Sequence, residues 1–356
     1  MKKRKQRDAA LLIILCAVLL FGSAATLLFP APPFSERENR YLAKMPVLSR
    51  ETLLGGTYAK GAEAYLSEHI PTRQAMLGLR ALVELGLGKR EVNGVLLCPD
   101  GRLIQKSAEN PRAVRRNTQA IRNMEAMCLA KQLPCTVCIL PQQESLSNLL
   151  TKGYTARPSD TDEALQTLLN ERDYWYRTDH HMTTAGAYAL YGYLGRLLDY
   201  TPHGVEDFSP VTVSEQFLGT ADAAAGIPYI RPDSITLYRY GGDTDFSVTA
   251  DGKALSLTGL YDMERLATRD GYGVFLGGNH GVTEISRGAE DTRPVLLIVK
   301  DSFANALLPF LARHYRLLVV DPRYTSPDLA ALAEQADRVL VLCGEETLSG
   351  SFLEIR

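Results

Sequence analysis

The chain is 356 residues long, 46% hydrophobic and 22% charged, a globular balance with enough apolar material for a sizeable core and too little charge for a disordered protein. A formal net charge of -2 leaves no electrostatic case for a nucleic-acid partner. At about 100 to 200 residues per domain, the length fits one large domain or two small ones.

The chain opens with "MKKRKQRD", which places five basic residues ahead of the uncharged run Ala9 to Phe29. About 20 apolar residues rising 1.5 Å each cross a bilayer core. Basic flanks stay cytoplasmic, so everything after the run is expected outside the cytoplasm. A cleaved signal peptide, with Ser23 and Ala25 before the cut, is the rival reading; the apolar run continues through "TLLF" beyond that cut, which favours an uncleaved anchor. The expected layout is a cytoplasmic segment over 1–8, a transmembrane anchor over 9–29, a connector over 30–52 that begins with the stiff "PAPPF", and an extracytoplasmic domain over 53–356.

Within that domain, apolar residues recur at helical spacing from Leu53 to Gly88, and "GVLLCPDGRLIQ" predicts two short strands across a Pro-Asp-Gly turn. Strand and helix then alternate. Pro111 to Gln132 is a predicted helix, "CTVCILP" a buried strand, Asp160 to Asn170 a helix, "YWYR" a short strand, and Thr184 to Tyr200 a helix with a Thr-Thr cap. Later come the strand "RPVLLIVKD", a helix at Phe303 to His314, the strand "RLLVVD", a helix at Pro327 to Ala336 and the strand "RVLVLC". Apolar strands separated by helices predict a doubly wound, mostly parallel sheet covered on both faces, with its site at the C-terminal strand ends. The pattern breaks over about 201–268, where short alternating runs predict a partly β insertion that forms a wall or lid.

Of the six cysteines, Cys16 falls in the anchor and five lie outside, an odd number that cannot all pair within one chain. Cys135 and Cys138 form a C-x-x-C, yet their run reads as a buried strand in which cysteine serves as a small hydrophobe rather than as a zinc or redox half-site.

Three junctions carry candidate chemistry. "YRTDHHMTTAGAY" places Asp179, His180 and His181 before a helix, in a chain with six histidines altogether. "YGVFLGGNHG" runs a short predicted strand into Gly277, Gly278 and Asn279, and "VLLIVKDSFAN" ends a continuous apolar strand at Lys300 and Asp301 with Ser302 next. A serine after a buried strand and before a helix can be a nucleophile facing the free N–H groups of the first turn; it can equally be an N-cap. The α/β-hydrolase glycines of G-x-S-x-G are absent here. An Asp-x-His pair on one turn supplies the base that takes the serine proton and the carboxylate that fixes the base's tautomer. Asp179, His181 and Ser302 are thus candidate catalytic residues, Asn279 and Gly278 candidates for oxyanion or substrate binding, and His180 and Met182 structural supports. Arg323, after the next strand, could bind an acidic sugar or carboxylate, or be paired with Asp321.

"FSERENRYLAKMP", "TDHHMTTAGAY", "FLGGNHG" and "VKDSFANALLPFLARHY" resemble the DHHW family of membrane-anchored Gram-positive surface proteins, a branch of the SGNH-hydrolase-like proteins related to the alginate O-acetyltransferase enzymes. The resemblance runs from about Phe34 to the C-terminus and is poorest over the middle insertion. It implies an SGNH-like fold without cofactor or metal, Asp179 and His181 as the Asp-x-His pair, and Ser302 as the nucleophile. It also implies a surface-polysaccharide acceptor and a membrane-embedded acyl-donor partner. Met182 stands where the family name has tryptophan, and the lone Trp175 lies seven residues earlier. Methionine fills a similar apolar volume, so the expectation is altered acyl or sugar packing, with loss of activity in this member left open.

The expected function is O-acetyl transfer or ester hydrolysis on cell-surface carbohydrate. Two rivals stand beside it. Asp-His-His also resembles the signature of manganese phosphoesterases, whose further aspartates would have to come from Asp243 and Asp245. A surface or spore-coat protein could instead keep the fold and bind polysaccharide without turnover.

Overall fold

The computed structural model describes residues 13, 16–17, 21–22, 24–29, 32–35, 40–71, 73–106, 110–141 and 163–350. Two units make up the chain, one of Met1–Asn93 with Ala223–Ile230 and one of Gly94–Asp222 with Arg231–Arg356. The first holds α1 (Arg50–Leu54), α2 (Thr57–His69) and α3 (Arg73–Gly86). Helix α1 opens on a reciprocal cap: the Thr52 N–H donates to Ser49 Oγ at 3.1 Å and the Ser49 N–H to Thr52 Oγ1 at 3.0 Å, which satisfies two otherwise orphaned donors. Among the described residues no helix is long and apolar enough to cross a membrane, and the segments expected at 1–8 and 9–29 lie wholly or largely outside them.

The second unit begins with the expected hairpin, β1 (Val95–Leu97) against β2 (Leu103–Gln105). Next is α4 (Pro111–Ala130), with Pro111 in its first turn and the Asn110 side chain accepting from the Ala113 N–H. Strand β3 (Cys135–Leu140), α5 (Glu163–Leu169) and α6 (Thr184–Leu198) follow in the predicted order, with Thr183 as the N-cap of α6. The start of the helix predicted from Asp160 lies outside the described residues.

The remaining elements are β4 (Ser209–Phe217), β5 (Asp233–Arg239), β6 (Ser247–Ala250), β7 (Lys253–Ala254), β8 (Val282–Ser286), β9 (Val295–Lys300), α7 (Leu308–Leu311), β10 (Arg316–Val320), α8 (Leu329–Ala333), β11 (Arg338–Gly344) and α9 (Glu345–Leu348). Seven strands form the central sheet in the order β7-β6-β8-β10-β9-β11-β3. The four from β10 to β3 run parallel, whereas β8, β6 and β7 pair antiparallel, so a parallel half continues into an antiparallel one. Of the insertion, β4 with β5 is a separate two-stranded ribbon, and β6 with β7, joined by a two-residue turn, is a hairpin that extends the central sheet antiparallel to β8.

The continuous apolar strands arise because both faces of the sheet are covered. In β9, Leu296 and Ile298 face one core with α5 and α6, while Leu297 and Val299 face the other with α4 and α8. Alternation also separates the two cysteines of the C-x-x-C: Cys138 belongs to the first core and Cys135 packs against the second. Their sulfurs therefore point to opposite faces and make no shared half-site, consistent with the buried-strand reading.

Three predicted elements take other forms. "YWYR" forms no strand: Tyr174 ends the 3-10 turn Arg172–Tyr174 and Trp175 makes a single antiparallel bridge to Met182. "YGVF" is mostly the 3-10 turn Gly271–Val274, after which Leu276, Gly277 and Gly278 have φ of 64°, 73° and 105°, a backbone path that no strand can follow. The helix expected from Phe303 to His314 is broken into a 3-10 turn, Ser302–Ala304, and α7, because Pro309 has no N–H to continue a helix from the preceding turn.

The sheet order fixes where the site lies. The β9-to-β10 connection carries α7 over the first core, and the β10-to-β11 connection carries α8 over the second. The C-terminal end of β9 is therefore a switch point, where the chain leaves in opposite directions and opens a crevice. Because Ile298 is fully buried mid-strand, Ile298→Ala should cost about 2 to 5 kcal/mol. Urea unfolding should show this as a lower midpoint at unchanged slope.

Candidate active site

Asp179, His180 and His181 sit on a tight loop closed by the Trp175–Met182 bridge, with the Tyr176 N–H donating to the His181 carbonyl at 3.2 Å. Two residues of the predicted insertion hold this loop from outside. Asp233 accepts from the Arg177 N–H at 3.0 Å, the Thr178 N–H at 2.8 Å and the Thr178 hydroxyl at 2.7 Å. Thr220 donates its N–H and its hydroxyl to Asp179 Oδ2 at 2.7 and 3.0 Å.

The other carboxylate oxygen, Asp179 Oδ1, accepts from the His181 N–H at 2.9 Å and lies 2.5 Å from His181 Nδ1. His181 Nε2 in turn lies 2.9 Å from Ser302 Oγ. An ionised carboxylate only accepts, so His181 carries its proton on Nδ1 and presents the Nε2 lone pair to the serine hydroxyl. The His181 ring is stacked on Tyr272, with centroids 3.8 Å apart and an interplanar angle of 8°, and the Tyr272 hydroxyl donates to the Ser302 carbonyl at 3.2 Å. The three predicted catalytic residues are thus brought into one hydrogen-bonded line, all of them buried.

Burial alone would push the Asp179 carboxyl up; His181 and His180, with the hydrogen bonds from His181 and Thr220, outweigh it and hold the group well below the usual carboxylate range. Burial, reinforced by His181, lowers the His180 imidazole and keeps it neutral near pH 7. His180 Nδ1 lies 2.7 Å from Thr220 Oγ1, and its ring rests 3.9 Å from that of His181, in keeping with a supporting role. The space for Asp179 depends on Gly219: a Cβ there would lie 2.2 Å from both Cβ and Oδ2 of Asp179.

Ser302 is placed by Asp301, whose buried carboxylate accepts from the Phe303 N–H at 2.9 Å, the Gly344 N–H at 2.7 Å and the Thr347 hydroxyl at 2.6 Å. These bonds tie the serine turn to the ends of β11 and α9. The Phe303 N–H is therefore occupied, which corrects the expectation of a free first helical turn facing an oxyanion. Among the described residues the Ser302 N–H donates to no protein acceptor.

The glycine loop lies alongside. Asn279 Oδ1 accepts from Lys300 Nζ at 3.2 Å and Asn305 Nδ2 at 3.1 Å, which leaves Asn279 Nδ2 as a donor. Gly278 does not fit the oxyanion role: its N–H donates to the Phe275 carbonyl at 3.2 Å and its carbonyl accepts from Asn305 Nδ2 at 3.3 Å. Its contribution is the positive φ that turns the loop. Arg323 pairs with Asp321 through Nε and Nη2 at 2.9 and 2.7 Å, the ion pair weighed as its alternative role. Met182 is fully buried and paired across the bridge with Trp175, whose ring meets Phe303 edge-on at 6.3 Å. It fills core volume, the place of a structural support.

Asp179, His180 and His181 also bring ligand-type atoms within 4.8 Å of one another. Each already bonds to a protein partner, as described above. The carboxylates that a dinuclear phosphoesterase would add are engaged too: Asp243 pairs with both Nε and Nη2 of Arg239, and Asp245 accepts from the Thr244 hydroxyl at 3.3 Å. The donor set does not fit that reading.

Comparison with known proteins places this geometry beside a known family. Residues 161–320 match the family described as DHHW protein, a span that contains the Asp179 loop, the glycine loop and Ser302. Over that segment the chain is similar to DHHW-family proteins. A DHHW-family protein from Eubacterium siraeum shares its fold at TM-score 0.56 and 21% identity, over 73% of this chain and 94% of that one. Bacillus cereus PatB1, solved with a sulfonyl adduct, matches at TM-score 0.59 and 17% identity, over 74% of this chain and 98% of that one. The O-acetyltransferase domain of Pseudomonas putida AlgJ matches at TM-score 0.41 and 16% identity, over 73% of this chain and 94% of that one. A search of curated proteins finds no match. In this chain Met182 stands where the family's name has its fourth letter, tryptophan, and the bridge places the chain's one tryptophan directly opposite it.

Sequence reasoning missed Gly219, Thr220, Asp233 and Tyr272, which lie in or beside the region read as an insertion and reach the site only through the fold. Gly219→Ala should displace Asp179 and cost about 1 to 3 kcal/mol by overpacking. A urea titration should show the lost stability, and the rate of Ser302 modification by a fluorophosphonate should fall with it. A Gly219→Ala protein with both unchanged would contradict the contact.

Proposed function

We propose that this chain is an extracytoplasmic O-acyltransferase or carbohydrate esterase, held to the cell membrane by residues 9–29 and acting on surface polysaccharide through Ser302, His181 and Asp179. The observation that carries the reading is the continuous line from Asp179 Oδ1 through His181 to Ser302 Oγ, at 2.5 and 2.9 Å. These are hydrogen-bond distances for a nucleophile, its base and the group that orients the base.

In the first half-reaction, His181 Nε2 takes the Ser302 hydroxyl proton as Oγ attacks the acyl carbonyl. Asp179 holds the ring and stabilises the imidazolium that forms. The tetrahedral oxyanion is met by the Ser302 N–H and Asn279 Nδ2. Collapse breaks the bond to the leaving group, which receives the proton from His181 and leaves an acyl ester on Ser302. In the second half-reaction, His181 deprotonates a sugar hydroxyl or water, which attacks that ester and returns the serine. The acceptor decides between transfer and hydrolysis, and a membrane-embedded protein would supply the acyl donor.

The likeness to PatB1, a protein solved with a sulfonyl adduct, suggests the same class of electrophile as a probe here. A fluorophosphonate or sulfonyl fluoride should label the folded chain on Ser302, with labelling abolished in Ser302→Ala and reduced roughly 10⁴-fold in His181→Ala. Well-folded protein that resists labelling would instead favour a carbohydrate-binding module of the same fold.

A further inference from the structure

Lys300 is the last residue of β9, two positions before Ser302, and is 1% exposed. A buried ammonium is costly unless each of its hydrogens has an acceptor. Here Nζ has three oxygens around it: Asn305 Oδ1 at 2.7 Å, Asn279 Oδ1 at 3.2 Å and Asp321 Oδ2 at 3.5 Å. An ammonium has three donors and no acceptor, so every neighbour must present an oxygen to it. That requirement sets the amide orientation of both asparagines. With Oδ1 of Asn305 turned to Lys300, Asn305 Nδ2 faces the glycine loop and donates to Asn279 Oδ1 and to the Gly278 carbonyl. With Oδ1 of Asn279 receiving both donors, Asn279 Nδ2 faces away from Lys300.

We propose that Lys300 is a positioning residue for acyl transfer, a buried ammonium that fixes the Asn279 amide with Nδ2 turned outward as the oxyanion donor. This inference rests on the serine reading given above and adds a residue that the Asp-His-Ser line does not contain. Replacing the ammonium by a group that can also accept, or by none, would allow the amide to turn over and present its oxygen to a developing negative charge.

Protonation gives the proposal a signature. Burial is the largest influence on Lys300 and lowers it; Asp321 opposes this, Arg323 adds to it and Asp301 opposes it, and the group settles at about 8. Among its other neighbours, burial holds the thiol of Cys343 on β11 and the phenol of Tyr272 well above their ordinary values, and the ring of His280 on the glycine loop is hydrogen-bonded to the Leu276 carbonyl at 3.0 Å. A neutral amine has a lone pair and so accepts an amide N–H as readily as it donates to an amide oxygen. Between about 8 and the ordinary lysine value of about 10.4 the folded protein binds fewer protons than the unfolded chain, so stability rises with pH while the positioning effect is lost. A fall in activity over this range cannot then be ascribed to unfolding driven by Lys300.

The test uses full-length protein in detergent with 4-nitrophenyl acetate as acyl donor, Ser302→Ala as the blank, and Lys300→Met, Asn279→Ala and the double variant. Each single variant should lower kcat about 10²-fold with KM little changed, as removal of one oxyanion donor does. The double variant should be no worse than the poorer single, because both remove the same donor. Wild-type kcat should fall through a midpoint near 8, at unchanged near-ultraviolet circular dichroism, and Lys300→Met should lack that limb. Wild-type kcat in Lys300→Met, or a double variant showing the product of the two single losses, would overturn the proposal. Should Lys300→Met not fold, Lys300→Gln takes its place, and wild-type kcat in that variant, or a Lys300→Gln/Asn279→Ala double showing the product of the two single losses, overturns the proposal equally. If Ser302→Ala turns over as fast as wild type, it is the serine reading that fails, and the inference falls with it.

Discussion

The buried carboxylate of Asp179 is the group on which the site depends. A carboxylate removed from water must have each oxygen satisfied. Here one oxygen is taken by His181 through both ring and backbone, and the other by Thr220 through both hydroxyl and N–H. The first pair of bonds fixes the imidazole tautomer. The second fixes the carboxylate, and it comes from a segment 41 residues later in the chain. The position of a base at a serine hydroxyl is thus set by how an acid buried behind it is solvated by protein.

The same logic recurs at the end of β9. Lys300, Asp301 and Ser302 are consecutive, and the first two are buried charges with different assignments. Asp301 gathers donors from the serine turn, the end of β11 and α9, and thereby places the nucleophile. Lys300 gathers oxygens from the serine turn, the glycine loop and the end of β10. Between them they bind the loops that converge on the switch point to a strand that is packed on both faces. A rigid sheet with polar groups only at its C-terminal edge is an economical way to hold a nucleophile in place.

Much of this was legible in the chain. Strands packed on both faces must read as continuous apolar runs, and β9, β10 and β11 do so at the predicted places. Asp179, His181 and Ser302 stood out because each falls at a junction between elements and because serine chemistry needs those residue types together. What was not legible depended on contacts distant in sequence. The region taken for an insertion contributes two strands to the central sheet, and it supplies Thr220 and Asp233, whose side chains are ordinary until the fold places them against the Asp179 loop. Gly278 and Arg323 were read as ligand-facing because of their position at strand ends; the fold adds local bonds that spacing does not show, from the Gly278 N–H to Phe275 and from Arg323 Nε and Nη2 to Asp321. Met182 was read as a support that alters acyl or sugar packing; pairing with Trp175 across a one-residue bridge places it in the core.

The claim that Ser302 carries an acyl group is tested most directly by intact-mass and peptide analysis of the full-length protein quenched in acid during turnover of 4-nitrophenyl acetate. The account predicts one added acetyl group, located on the peptide that contains Ser302 and absent from Ser302→Ala. Turnover with no acetylated protein, or an acetyl group equally present in Ser302→Ala, would contradict it.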